Sequence, residues 1–157
     1  MQIDETDQQI IALLSADART SYADIGARIS LSAPAVKRRV DRLRAAGVIR
    51  GFTAIVDPAA VGWITEAFVE LFCTGRTTPT QIRAMARKDP AVVGAYTVSG
   101  EADALVHLRA ADIGHLEQAL ERLRAEPFVT STRSMIVLSR LVETVSAPPS
   151  ESVELPR

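Results

Sequence analysis

Three residues, Ser30-Leu31-Ser32, separate two helical patterns, and a connection that short forces the second helix to pack directly across the first. The first pattern follows Ser21, a good N-cap, and turns Tyr22, Ile25 and Ile29 to one side. The second follows Ser32, another N-cap, with Pro34 in its first turn, where a missing N–H costs little. Val36, Val40 and Leu43 then recur at i, i+4 and i+7, one face of a helix, and Gly47 suits the left-handed position just past its end. A third helix precedes the pair: Asp4 is its expected N-cap, Glu5 and Asp7 suit its positive start, and Ile10, Ile11 and Leu14 form its stripe.

After Gly47 the period changes. Residues 48–56 (VIRGFTAIV) alternate and read as a strand or short hairpin, which would make this a winged helix-turn-helix. DPAAVG (57–62) reads as a linker. Beyond it the pattern is strand, helix, strand, strand, helix, strand: EAFVELFCT, TPTQIRAMARK, VVGAYTVSG, DALVHLRA, DIGHLEQALERLRA and a long last strand VTSTRSMIVLSRLVE. Ile82, Met85 and Ala86 should face inward from the first of these helices, and Leu116, Leu120 and Leu123 from the second. The order βαββαβ predicts a ferredoxin-like sheet with helices on one face. The fold class expected is therefore α+β. Residues 1–50 form a helix-turn-helix domain, 51–63 a strand and linker, 64–143 a ferredoxin-like domain, and 144–157 a disordered tail.

The first strand of that sheet is apolar on both sides, with Ala67, Val69 and Leu71 pointing one way and Phe68 and Phe72 the other. Helices cover one side only, so the other face calls for a partner, and a homodimer packed sheet against sheet supplies it. Cys73 continues the inward alternation as a small apolar residue, and as the only cysteine it excludes an internal disulfide or a cysteine zinc site. Trp63, just after the linker glycine, is expected to pack between the domains or at a dimer interface. His107 and His115 have too few companions for a metal site.

Charge is distributed unevenly. Residues 1–56 carry eight Lys/Arg against six Asp/Glu, whereas 57–157 carry ten against thirteen. Within 37–50 stand six cations (Lys37, Arg38, Arg39, Arg42, Arg44, Arg50) and one anion, Asp41. A solvated helix face could look like this. A basic second helix in a short-turn pair, opening on the small residues Ser32, Ala33 and Ala35, is better suited to the major groove of double-stranded DNA. Arg38, and Lys37 beside it, would reach guanine O6/N7. Arg42, Arg50 and the caps Ser21 and Ser32 would meet phosphates, while Arg39, nearer the buried edge, could serve an intramolecular carboxylate instead. The acidic N-terminus lacks a signal-peptide layout and no run is long enough to span a bilayer, so a cytoplasmic protein without a membrane partner is expected.

The stretch from IDETDQQI to DPAAVG resembles the N-terminal part of the Lrp/AsnC, or feast/famine, transcriptional regulators. It has the Asp-x-x-Asp opening, an Ala-Arg before helix two, the LS…V..Rv..L…GvI.g run and the DP…G linker. The resemblance continues to residue 142 and includes VSGEAD (98–103). It implies dimerisation through sheet faces, assembly of dimers into octamers, and a small effector, usually an amino acid, bound between dimers. Carried across, the effector pocket would use Tyr96, Ser99, Gly100 and Asp103 with Thr132 and Ser134. Asp103 would pair with an α-ammonium group, and backbone N–H groups near Gly100 would hold the carboxylate. Where the family often has an aromatic residue before this Asp, Ala102 stands here. The reading is a regulator, not an enzyme, with no cofactor. Two alternatives stay open: an architectural DNA-compacting protein, and a sirohaem-decarboxylase-like enzyme of similar two-part architecture, for which only two histidines are available.

Overall fold

The computed structural model describes residues 2–142 and divides the chain into two compact units, one reaching Ala54 and including Val142, the other spanning Ile55–Leu141. The expected tail at 144–157 lies outside the described residues.

The first unit is a trihelical cluster: α1 (Glu5–Ala16), α2 (Tyr22–Ile29) and α3 (Ala33–Ala45). Each begins where a side-chain cap was expected. Asp4 accepts from Asp7 N and completes a reciprocal capping box, Ser21 accepts from Asp24 N, and Ser32 accepts from Ala35 N. Gly47 takes φ +73° beyond α3. The core joins Ile10 and Leu14 of α1, Ile25 of α2, and Val36, Val40 and Leu43 of α3, with Ile49 packed against it.

The α2–α3 turn depends on a residue the periodicity did not single out. Ser30 sits in the left-handed region at φ 57°, and Leu31 N–H donates to Gly26 O at 2.9 Å. A Cβ on Gly26 would lie 2.3 Å from Leu31 O. The short connection folds back so closely that α2 has room only for hydrogen there.

The expected strand or hairpin at 48–56 does not form. Residues 51–56 have no sheet partner among the described residues, so the wing is missing from the first unit. Alternating sequence makes a strand only when another edge supplies its hydrogen bonds, and this unit is otherwise helical.

The second unit runs β1 (Thr65–Cys73), α4 (Pro79–Lys88), β2 (Val92–Thr97), β3 (Ala104–Ala110), α5 (Ile113–Arg124) and β4 (Val129–Ile136), after a short 3-10 turn at Ala59–Val61. The sheet order is β2-β3-β1-β4 and every pairing is antiparallel. Ala67, Val69 and Leu71 of β1 and Ala104, Val106, Leu108 and Ala110 of β3 pack under Ile82 and Met85 of α4 and Leu116, Ala119 and Leu123 of α5. Leu120 and Ala86, expected inward, are only half-buried. The last strand is shorter than its alternation suggested. Ala67 pairs with Ile136, Val137 N–H still reaches Glu66 O, and then β1 runs out.

The helix-free face is more polar than the sequence suggested. Phe68 stacks on His107, with ring centroids 4.5 Å apart, and Arg133 lies over Phe72 while pairing with Glu70. Glu66 gathers His107, Arg109 (3.3 Å) and Arg140 (2.6 Å). Burial pushes the Glu66 carboxyl up, but the Arg140 and His107 hydrogen bonds and the Arg109 charge outweigh it and bring it down to about 2. Tyr96 and Met135 remain exposed on this face.

Candidate DNA interface and effector site

The cations of α3 divide into two groups. Arg39 Nη1 donates to Asp4 Oδ2 at 2.7 Å and to Asp7 Oδ1 at 2.8 Å, and Arg42 Nη2 contacts both oxygens of Asp7. Asp7 has no solvent exposure, so these two arginines fasten α3 to α1. The Arg39 hydrogen bond also holds the exposed Asp4 carboxyl below its usual range. Lys37 pairs with Asp41 at 2.6 Å on the exposed surface, and that contact raises its ammonium above the usual lysine range. Arg38, Arg44 and Arg50 are exposed and make no ion pair among the described residues.

The basic stretch is therefore more neutralised than its local count implied. Asp4 and Asp7 supply the missing anions from a helix some thirty residues away in sequence. The signal was present as two i, i+3 pairs, Asp4/Asp7 and Arg39/Arg42, each on one helix face; capping alone accounts for the acids until α1 and α3 are seen together. Ser21 and Ser32 are both exposed at the caps they form, and Ala33 opens the half-exposed first turn of α3. Arg42 is committed to Asp7 through Nη2, yet about half of its side chain remains exposed.

The expected effector residues fall into two groups, one at the β2–β3 hairpin and one on β4, which approach each other only through the end of β1 and a 4.0 Å contact between Glu101 and Arg133. Tyr96, Ser99, Gly100 and Asp103 lie at the β2–β3 hairpin, with Gly100 at φ +133°. Thr132 and Ser134 lie on β4, at the opposite edge of the four-stranded sheet, where they pair with Leu71 and Val69 of the helix-covered face. Three strand spacings of about 4.8 Å separate Tyr96 on β2 from β4, whereas Asp103, whose N–H donates to Leu71 O at 2.9 Å, is nearer to it. Asp103 Oδ2 accepts from Cys73 N–H at 2.7 Å, which pins the hairpin to the end of β1 and leaves Oδ1 without a partner among the described residues. Thr132 accepts from Arg124 Nε at 3.1 Å. Ala102 is buried beside Asp103. Cys73 is half-buried, and burial raises its thiol above the usual range.

Two family models match the chain in sequence: an AsnC-type helix-turn-helix domain over residues 3–44 and an Lrp/AsnC ligand binding domain over 66–147. The chain belongs to the Lrp/AsnC family. Among curated members it is 51% identical to the HTH-type transcriptional regulator Rv2324 of Mycobacterium tuberculosis, across 90% of this chain and 96% of that one. A feast or famine regulatory protein from M. tuberculosis, complexed with L-methionine, superposes with a TM-score of 0.86 at 32% identity, covering 94% of this chain and all of that one. A transcriptional regulator from Neisseria meningitidis, also complexed with L-Met, gives 0.84 at 26% identity, over 94% and 97%. The helix-turn-helix followed by a four-stranded antiparallel sheet is thus the Lrp/AsnC architecture, and members near this chain are named transcriptional regulators rather than enzymes. No helix among the described residues is long and apolar enough to cross a membrane.

Proposed function

We propose that this Lrp/AsnC protein is a sequence-specific, DNA-binding transcriptional regulator, with a DNA-binding domain at 1–50 and an effector-binding, oligomerising domain at 64–143. The observation that carries the reading is the division of labour on α3. Arg39 and Arg42 are spent on holding the helix in place, while Arg38 is left exposed and unpaired in its N-terminal half. Arg38 supplies the bidentate contact to guanine O6/N7. Lys37 contributes once it exchanges Asp41 for an acceptor on DNA. Ser21, Ser32, Ala33 and Arg50 line the phosphate and groove approach, and Arg42 adds a phosphate contact through its exposed nitrogens without leaving Asp7.

The effector is an amino acid, held by Asp103 Oδ1 at its ammonium group and by backbone donors around Gly100 at its carboxylate. The two methionine complexes among related structures support that class. Because Tyr96 on β2 and Thr132 and Ser134 on β4 stand at opposite edges of the sheet, a pocket that closes Tyr96 over the others is completed by a second chain. A homodimer assembled into a higher oligomer, an octamer in the fullest form, supplies it.

The test compares binding to the gene's own upstream region with binding to random DNA of equal length at one salt concentration. An affinity ratio of about 10³ or more supports a regulator, whereas a ratio near one points to DNA compaction instead.

A further inference from the structure

At the end of β2 and β3 away from the Asp103 hairpin, the second unit contains a cavity of about 470 Å³. Its apolar side is built from Trp63 and the small buried residues Ala91 and Ala110. Trp63 is set by the turn before it: Gly62 takes φ +87°, and Trp63 N–H donates to Pro58 O at 2.9 Å. The polar side comes from one face of α5, where His115, Gln118 and Arg122 follow one another at i, i+3 and i+7.

The hydrogen bonds around this rim leave it rich in donors. Asp89 is buried, and both its oxygens are used: Oδ2 by Arg122 Nε at 2.8 Å, Oδ1 by Arg122 Nη2 at 3.1 Å and by Ala91 N–H at 2.9 Å. That bidentate pair locks the guanidinium in place and leaves Nη1 unspent. Asp112 is likewise occupied, accepting from His115 N–H at 2.7 Å and pairing with His115 Nδ1 at 3.1 Å. His115 Nε2 and the Gln118 amide make no hydrogen bond among the described residues. Two carboxylates thus orient the rim without competing for a ligand's acceptor atoms.

We infer that this cavity is a second small-molecule site, separate from the hairpin, and that it takes a flat aromatic monocarboxylate. The ring lies between the Trp63 indole and the alanine floor, where a planar group gains most contact. The carboxylate accepts from Arg122 Nη1 and from the Gln118 amide N–H beside it, a preorganised, charge-assisted contact. The cavity's volume falls within the range typical of small-molecule sites.

Trp63 is the only tryptophan in the chain, so it reports directly on the site. The experiment titrates the full-length protein with 3-phenylpropionate and 1-naphthoate while following tryptophan fluorescence, with 3-phenylpropionamide as the uncharged control. A saturable change is expected, roughly tenfold weaker for the amide and for the Gln118→Ala variant. Ala111→Phe, at an exposed position on the cavity wall, should abolish the change while leaving thermal unfolding intact. Asp103→Ala should leave it unaltered, which separates this site from the effector pocket. No saturable change with either acid, equal response to acid and amide, or loss of the signal in Asp103→Ala would each overturn the inference. So would a fluorescence change that follows protein concentration instead of ligand, because the cavity would then be filled by a second copy of the chain.

Discussion

Asp7 and Arg42 form the tightest link between the first helix and the basic one: Arg42 Nη2 lies 2.9 and 2.6 Å from the two oxygens of a carboxylate with no solvent exposure. A buried carboxylate is tolerable only with such partners, and Arg39 supplies a second one at 2.8 Å, so removing Asp7 strips both arginines of their shared anion. Asp7→Ala should therefore destabilise the helix-turn-helix unit by about 2 kcal/mol, as measured by urea unfolding. An unchanged midpoint would mean that the pair is incidental to the packing of α1 on α3.

Arg38 and Arg42 should separate cleanly as variants. Arg38→Ala is expected to leave stability within about 0.5 kcal/mol of the parent. It should weaken binding to the specific site by about 1–3 kcal/mol and relax preference at one base pair. Arg42→Ala should lower stability first. Fluorescence anisotropy with operator and mutated operator, alongside melting curves, reads both effects. Equal loss on every sequence for Arg38→Ala would reassign it to phosphate.

Gly26→Ala puts a methyl carbon 2.3 Å from Leu31 O, against backbone rather than a pliable side chain. Either α2 or the turn must shift, at an expected cost of about 2 kcal/mol or more, with DNA affinity falling as α3 loses its orientation. If the variant melted like the parent and bound DNA normally, the tightness of this turn would not matter to function.

Glu66 gives the sheet unit an acid-sensitive component. Its carboxyl in the folded state is depressed to about 2 from its ordinary 4.5, so its stabilisation is present above about pH 4.5 and is lost as pH falls toward 2. Glu66→Gln should lower stability at neutral pH and flatten its pH dependence between those limits. Chemical denaturation of both proteins across that window checks the difference; parallel curves would rule out Glu66 as a source.

Asp103 is best tested by its charge alone. Asp103→Asn keeps an oxygen for Cys73 N–H but loses the anion that faces an effector ammonium. In the parent, an amino acid at one hundred times its dissociation constant should add about 2.7 kcal/mol of stability. The variant should lose most of that shift without losing its own fold. A shift that survives the substitution would place the ammonium elsewhere.

The readable parts of the chain were those set by local chemistry. The caps Asp4, Ser21 and Ser32, the stripe Val36-Val40-Leu43 and the alternation of Ala67, Val69 and Leu71 each depend on neighbours within a few residues. Helix and strand periods follow from backbone geometry, so a single strip of sequence carries them. Residues 48–56 mark the limit of that reading, since alternation describes a strand's faces but cannot supply the edge it pairs with.

Which cations are available to a partner was decided only by tertiary structure. Lys37, Arg38, Arg39 and Arg42 are nearly equivalent in the sequence, and what distinguishes Arg39 and Arg42 is a pair of acids on α1. In the sheet, Phe68 and Phe72 read as a bare apolar face until His107 and Arg133 are seen covering them from neighbouring strands. Likewise Thr132 and Tyr96 look like members of one pocket until the strand order sends them to opposite edges. Local sequence fixes which way a side chain points along its own element, because the backbone repeat is short-ranged. What that side chain meets depends on contacts between distant segments, and those exist only after the helices and strands have packed.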